Sequence, residues 1–197
     1  MKPVNPKLDV IMYSCLTDVV NEVQANNDIT FLYTQDAVPE TGKAIYSMWR
    51  EAKRGRVPFK VFNGSNDAEN LYFSPEVNLL YRTVHDIDHA IAYSVGRGTT
   101  KYEDELYLNC LMAKRTHDWT VQCSFYTEAD ALEVFFAVYH DTVGQVQYYK
   151  EHSDFCADQR TNTIRLMNGC TGVSFLKHGM LTPARQVMLS MLNECGV

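Results

Sequence analysis

The stretch "SPEVNLLYRTVHDIDHAIAYSVG", residues 74–96, decides how the fold is read. Ser74 is a strong N-cap, and Pro75 suits the first helical position, where its missing N–H needs no partner. Gly96 offers a stop. At about 100° per residue, Leu80, Val84, Ile87 and Ile91 fall on one stripe, which predicts a core-facing side. Arg82, His85, Asp86, His89 and Tyr93 fall opposite. His85 and His89 stand four apart, so both imidazoles project from one face, one turn apart. That spacing can offer two nitrogens to one divalent ion. A solvent-facing polar stripe would have the same pattern.

Outward from this helix, the chain reads as mainly α with a minor β portion, an α+β fold. Helices are predicted over 101–117, over 128–152 and in "TPARQVMLSMLNECG", with Pro183 near its start. Residues 153–178 show no regular pattern, with Asn168-Gly169 as a turn. Upstream, a helix is expected over 8–25 and another from about 41 to 54, stopped by Gly55. "ITFLY", 29–33, and "VPFKVF", 57–62, read as short strands. No repeat, low-complexity tract or linker divides the chain. A single domain, 1–197, is expected: a small α+β portion over 1–73 and a mostly helical portion over 74–197 that carries a His/carboxylate cluster.

Composition narrows the function classes. Hydrophobic residues make up 46% and charged residues 21% of the 197 residues, the balance of a globular chain with a real core. A net charge of −6 argues against wholesale binding of nucleic acid. Lys53, Arg54 and Arg56 form the one dense basic cluster and read as a solvated helix end. No apolar run approaches the roughly 20 residues of a membrane span. "MKPVNPKLDVIMYS" lacks the apolar centre of a secretory signal, and none of the six cysteines forms a C-x-x-C pair. Free thiols and a cytoplasmic location are therefore expected.

Carboxylates come from two further helices. In the 128–152 helix, Leu132, Phe136, Tyr139, Val143 and Val146 form an apolar stripe, while Ala137, Asp141, Gly144, Gln145 and Tyr148 lie opposite. Gly inside a helix costs roughly 1 kcal/mol against Ala, so Gly144 implies a close approach there. If that face is covered by the 80–93 helix, Asp141 meets His85 or His89. Glu103, Asp104 and Glu105 sit at a helix start, where acids suit the positive dipole end, and any one of them could complete a two-His, two-carboxylate set. His140 points toward the side of its helix, near Glu133. His117, His152 and His178 have no patterned neighbours.

Three pieces, "RTVHDIDHA", "YEDEL" and "HDTVGQ", resemble in order an uncharacterised family common in tailed bacteriophages, with the motifs R-x-V-H-D-x-x-x-H, Gly-Glu and E-T-R-G-Q. The match covers roughly residues 79–149. Here the second His follows the Asp by three positions, the Gly before Glu is missing, Asp141 stands for Glu and Val143 for Arg. The resemblance implies His85, His89, Glu105 and Asp141 as metal ligands, Gln145 as an outer partner, and a phage origin. "HDIDHA" also resembles the H-D-x-x-H of HD-domain phosphohydrolases. Those use a His on an earlier helix, and no His precedes His85. The zincin H-E-x-x-H differs by one carbon, which would draw the base back from a metal-bound water.

The function these residues predict is a metal-dependent hydrolase of a nucleotide or other phosphoester. A zinc, manganese, magnesium or iron ion would activate water. Asp86 or Asp88 would act as base or orient a histidine, and Arg82 would bind phosphate. One alternative is a non-catalytic phage protein that binds a host factor, with the His/Asp cluster structural. Another is a non-haem iron redox protein, although the paired E-x-x-H motifs of ferritin-like proteins are absent.

Overall fold

A computed structural model describes residues 2–99 and 101–197. The elements run α1 (Pro6–Asn26), β1 (Phe31–Thr34), α2 (Gly42–Ala52), β2 (Phe59–Phe62), α3 (Pro75–Ser94), α4 (Tyr102–Gln122), α5 (Glu128–His152), α6 (Gln159–Gly169), α7 (Thr171–Lys177) and α8 (Leu181–Glu194). The fold is α+β, mainly helical, with one two-stranded parallel sheet among the described residues. No helix of the described residues is long and apolar enough to cross a membrane.

Local chemistry sets most boundaries. Ser74 Oγ accepts from Val77 N at 3.3 Å and starts α3, with Pro75 in the first turn. Gly96, at φ +79°, takes the left-handed conformation that ends it. Thr127 and Asp130 form a reciprocal capping box that starts α5. Parallel pairing of β1 and β2, in the register Phe31↔Phe59 and Tyr33↔Val61, requires a crossover, which α2 supplies.

Two apolar cores result. The larger is built around α5, whose Leu132, Phe135, Phe136 and Val143 are fully buried on several sides at once. The smaller lies between α2 and the sheet and contains Ile45, Trp49, Phe59 and Val61. Helix α3 forms the wall between them, with Val84 in the larger core and Ile87 and Ala90 in the smaller. α1 puts Leu8, Ile11 and Leu16 into the larger core. It therefore packs chiefly with the helical body, while Val23 near its end lies against the smaller core.

Three expectations change. Ile91, read as part of the α3 packing stripe, is 49% exposed, whereas Asp88 and His89 are buried. Covered on two sides, α3 buries an arc wider than one stripe and rotated toward those polar residues. Residues 153–178, read as irregular, form α6 and α7. Asp158 caps α6 by accepting from Thr161 N at 2.9 Å, and the buried side of α6 carries Asn162 and Thr163, which hide its period from a hydrophobicity reading. The close approach at Gly144 is made by α6: a Cβ on Gly144 would lie 2.7 Å from the tip of Leu166.

A Cβ on Gly172 of α7 would lie 2.2 Å from the Phe136 ring, which is fixed in the core. Gly172→Ala is expected to lower stability by about 1–3 kcal/mol through overpacking. Gly144→Ala, opposed only by a mobile leucine tip and favoured by helix propensity, should stay within about 1 kcal/mol of the parent. Urea midpoints of the two variants check this.

Candidate metal centre

Helix α3 presents His85 and His89 with ring centroids 4.5 Å apart. Glu105, in the first turn of α4, reaches both: its Oε2 lies 3.5 Å from His85 Nε2 and its Oε1 3.3 Å from His89 Nε2. These three residues form the group that could hold a metal ion among the described residues. Ligand bonds of about 2.0–2.1 Å on a tetrahedral ion put neighbouring donor atoms about 3.3–3.4 Å apart. Glu105 is therefore near ligand spacing from each histidine, through a different oxygen for each, and one ligand atom from each of the three residues lies within 4.8 Å of the others. Of the three acids at the start of α4, Asp104 serves the helix cap, accepting from Lys101 N at 3.2 Å, and Glu105 serves the site.

Electrostatics bind the group together. Burial works against the Glu105 carboxylate, but the two histidines outweigh it and hold the acid down at about 2. Burial likewise opposes a charged His85, and hydrogen bonding to Glu105 overcomes it and raises the imidazole above its usual range. Glu105 is thus a carboxylate, and a cation entering the site would compete with protonation of His85. His89 Nδ1 is buried with no hydrogen-bond partner among the described residues, so nothing fixes the tautomer from behind as an outer partner usually does.

Asn109 and Tyr81 complete the surroundings, and composition and motif reading missed both. Asn109 is buried one turn beyond Glu105. Its Nδ2 donates to the Glu105 carbonyl at 2.9 Å and lies 3.4 Å from His85 Nε2. The Tyr81 hydroxyl donates to Asn109 Oδ1, and its ring lies 5.4 Å from that of His85. The available signal was the i, i+4 spacing of Glu105 and Asn109, which mirrors that of His85 and His89.

A cavity of about 460 Å³ opens onto the histidines. Its walls are the 35–40 loop, Ile45, Phe62 and Phe155, with Arg82, His85, Asp86 and His89 contributed by α3. Burial raises the Asp86 carboxyl to about 6, against the pull of His85, His89 and Arg82.

Other expected site residues are engaged elsewhere. Buried Asp88 accepts from both terminal guanidinium nitrogens of the partly exposed Arg115, at 2.7 and 2.8 Å, in a bidentate fork. The fork occupies one lone pair on each carboxylate oxygen, and the hydrogen bonds of Asp88 among the described residues run to Arg115 and not to a histidine. Arg82 borders the cavity, but its guanidinium donates to the carbonyls of Phe62, Gly64 and Ser65. Three of its five N–H donors are thus taken by the loop after β2. Asp141, expected as a fourth ligand, accepts from Thr163 of α6 at 2.9 Å. α5 packs chiefly on α4 and α6, which turns Asp141 and Gly144 toward α6 and not toward the histidines. Gln145 is buried, and neither of its amide atoms has a partner among the described residues, so no hydrogen bond links it to the site. His140, held down to about 4 by burial, also lies outside the cluster.

No protein-family model, curated protein or solved structure matches the chain.

Glu105→Gln should weaken divalent-metal binding by more than the roughly 10–100-fold that loss of an outer partner costs. Isothermal titration with Mn²⁺ or Zn²⁺ checks this. Asp88→Asn should instead cost about 1–3 kcal/mol of stability, because it weakens a charged hydrogen-bonded pair and leaves the partly buried Arg115 charge unmatched. Metal affinity should persist in any folded fraction.

Asp141 makes a pH-dependent contribution. Burial raises its carboxyl from an ordinary 3.8 to about 7, against a small lowering by Thr163. The folded protein therefore keeps a proton that the unfolded chain releases between those values. The associated stability is fully present below about 4 and is lost as pH rises through about 7. Asp141→Asn keeps the Thr163 hydrogen bond and never ionises. Its melting temperature should rise relative to the parent between about pH 5 and pH 8, with metal content unchanged.

Proposed function

We propose that this protein is a metal-dependent hydrolase acting on a small phosphorylated substrate, a nucleotide in the first instance, in a bacteriophage context. The observation that carries the reading is the convergence of His85 Nε2 and His89 Nε2 on the two oxygens of the Glu105 carboxylate, with both histidines on the wall of a cavity. Two histidines and one carboxylate are a catalytic set, because they leave positions open on the ion. A divalent ion held there supplies a water acidified toward about pKa 7 and a Lewis acid for a phosphoryl oxygen.

The remaining roles belong to the chain. Asp86 shares the cavity with the histidines and accepts the proton of the attacking water. Phe62 and Phe155 give the cavity aromatic surface suited to a flat ring such as a base. Arg82 adds positive charge at the wall while it anchors the Phe62 loop. The phage context rests on the resemblance of "RTVHDIDHA", "YEDEL" and "HDTVGQ" to the phage family.

The same donor set suits a mononuclear non-haem iron centre, which the 2-His-1-carboxylate geometry favours as the second reading. Metal analysis of untagged protein, followed by a phosphate-release screen over nucleotides with Mn²⁺, Zn²⁺ and Mg²⁺, separates them. The hydrolase reading expects about one ion per chain and release that falls at least about a thousandfold in His89→Ala, or about 4 kcal/mol of transition-state stabilisation. Bound iron with oxygen consumption and no phosphate release would replace it with the second reading. No bound metal and no turnover would reject both.

A further inference from the structure

Asn109 meets the histidine pair from α4 and is only 1% exposed, so its amide has few places to turn. The amide nitrogen donates to the Glu105 carbonyl at 2.9 Å and lies 3.4 Å from His85 Nε2. The amide oxygen accepts from the Tyr81 hydroxyl. These contacts settle which way the amide faces. A carbonyl only accepts, so the end beside Glu105 must be the N–H end, and Tyr81 then meets the oxygen. Turning the amide over would set oxygen against oxygen at Glu105.

That orientation bears on His85. An amide nitrogen donates and does not accept, so the ring nitrogen that faces it must accept. A neutral imidazole has one N–H and one lone pair. Facing Asn109, the lone pair sits on Nε2 and the proton on Nδ1. Glu105 Oε2, 3.5 Å from the same Nε2, favours the opposite form, with Nε2–H donating to the carboxylate. The two neighbours compete for one nitrogen, and only the form that Asn109 favours offers a lone pair to a cation.

We propose that Asn109, anchored by Tyr81, is a positioning residue of the metal centre, which holds neutral His85 in its Nδ1–H tautomer so that Nε2 is ready to bind the ion.

The role rests on the metal-centre reading above and adds to it how one ligand is prepared. His89 is the contrast within the same site. Its Nε2 lies 3.3 Å from Glu105 Oε1, and its Nδ1 is buried with no partner among the described residues. A proton on that Nδ1 would have no acceptor, so neutral His89 keeps its proton on Nε2 and donates to Glu105. His85 thus presents its lone pair from the start, whereas His89 must move its proton before Nε2 can ligate. Tyr81 precedes His85 by one turn of α3, and their rings lie 5.4 Å apart. The same helix therefore carries the ligand and the anchor of the amide that faces it.

The test reads the tautomers directly, with no metal present. Long-range proton–nitrogen correlations of isotope-labelled protein, at a pH where both rings are neutral, distinguish a protonated ring nitrogen from one with a lone pair. The parent should show His85 with Nδ1–H and His89 with Nε2–H. In Asn109→Leu, His85 faces Glu105 alone and should pass to Nε2–H, while His89 stays as it was. Tyr81→Phe releases the amide oxygen and should give His85 as a mixture of both forms. Zinc affinity by isothermal titration should fall about 10–100-fold in Asn109→Leu, as loss of an outer partner does, and by less in Tyr81→Phe. Circular dichroism establishes that each variant is folded. If Asn109→Leu is not, the double variant Tyr81→Phe/Asn109→Leu, which removes donor and acceptor together, takes its place. A parent His85 with its proton on Nε2, a tautomer that Asn109→Leu does not move, or full zinc affinity once it has moved would each overturn the proposal. A parent with the expected tautomers that binds no zinc rejects the metal-centre reading itself, and the role of Asn109 with it.

Discussion

Helix α3 is enclosed by two cores, and the polar side chains that it buries draw most of their partners from the elements packed on it, His89 Nδ1 being the exception among the described residues. An unpaired charge or a lost hydrogen bond in such a place costs several kcal/mol. Thr83 returns its hydroxyl to the Leu79 carbonyl at 2.8 Å and meets the Tyr33 hydroxyl at 3.3 Å. Asp88 takes the Arg115 fork, and His89 takes Glu105. Two of these partners come from α4, so the seating of α4 against α3 is dictated by polar satisfaction as much as by packing.

That seating also builds the candidate site. α4 begins at Tyr102, which puts Glu105 one turn in and Asn109 one turn further, on the same side. The side that answers His85 and His89 is therefore an acid followed by an amide. Arg115, farther along, neutralises Asp88 and so separates the two neighbouring aspartates of the motif into different environments. Asp88 becomes half of a structural ion pair. Asp86 faces the cavity and has a raised carboxyl. Sequence spacing treats the two as equivalent, and the fold does not.

The small α+β portion completes the site without supplying a ligand. Its contribution is a wall: the 35–40 loop and Phe62 close one side of the cavity, and Arg82 fastens the Phe62 loop to α3 through three backbone carbonyls. An arginine read as a substrate ligand thus serves mainly to hold the pocket's shape. Phe155, just after α5, closes the cavity from the other body of the molecule.

The sequence by itself determined what depends on neighbours along the chain. The caps of α3 and α5, the extent of α5, the two short strands and the pairing of His85 with His89 on one helical face all follow from spacings of a few residues. What depends on orientation between helices was decided only by the tertiary structure. Glu105, and not Asp141, closes the histidine pair, because α5 turns that face to α6, where Thr163 and Leu166 receive Asp141 and Gly144. Ile91 is exposed and His89 buried, because α3 is covered from two directions and its buried arc is wider than one stripe. α6 escaped notice because its buried side carries Asn162 and Thr163, polar residues whose place inside is set by their partners and not by hydrophobicity. A helix period states which residues share a face, but which neighbour meets that face is chosen by the packing of the whole chain.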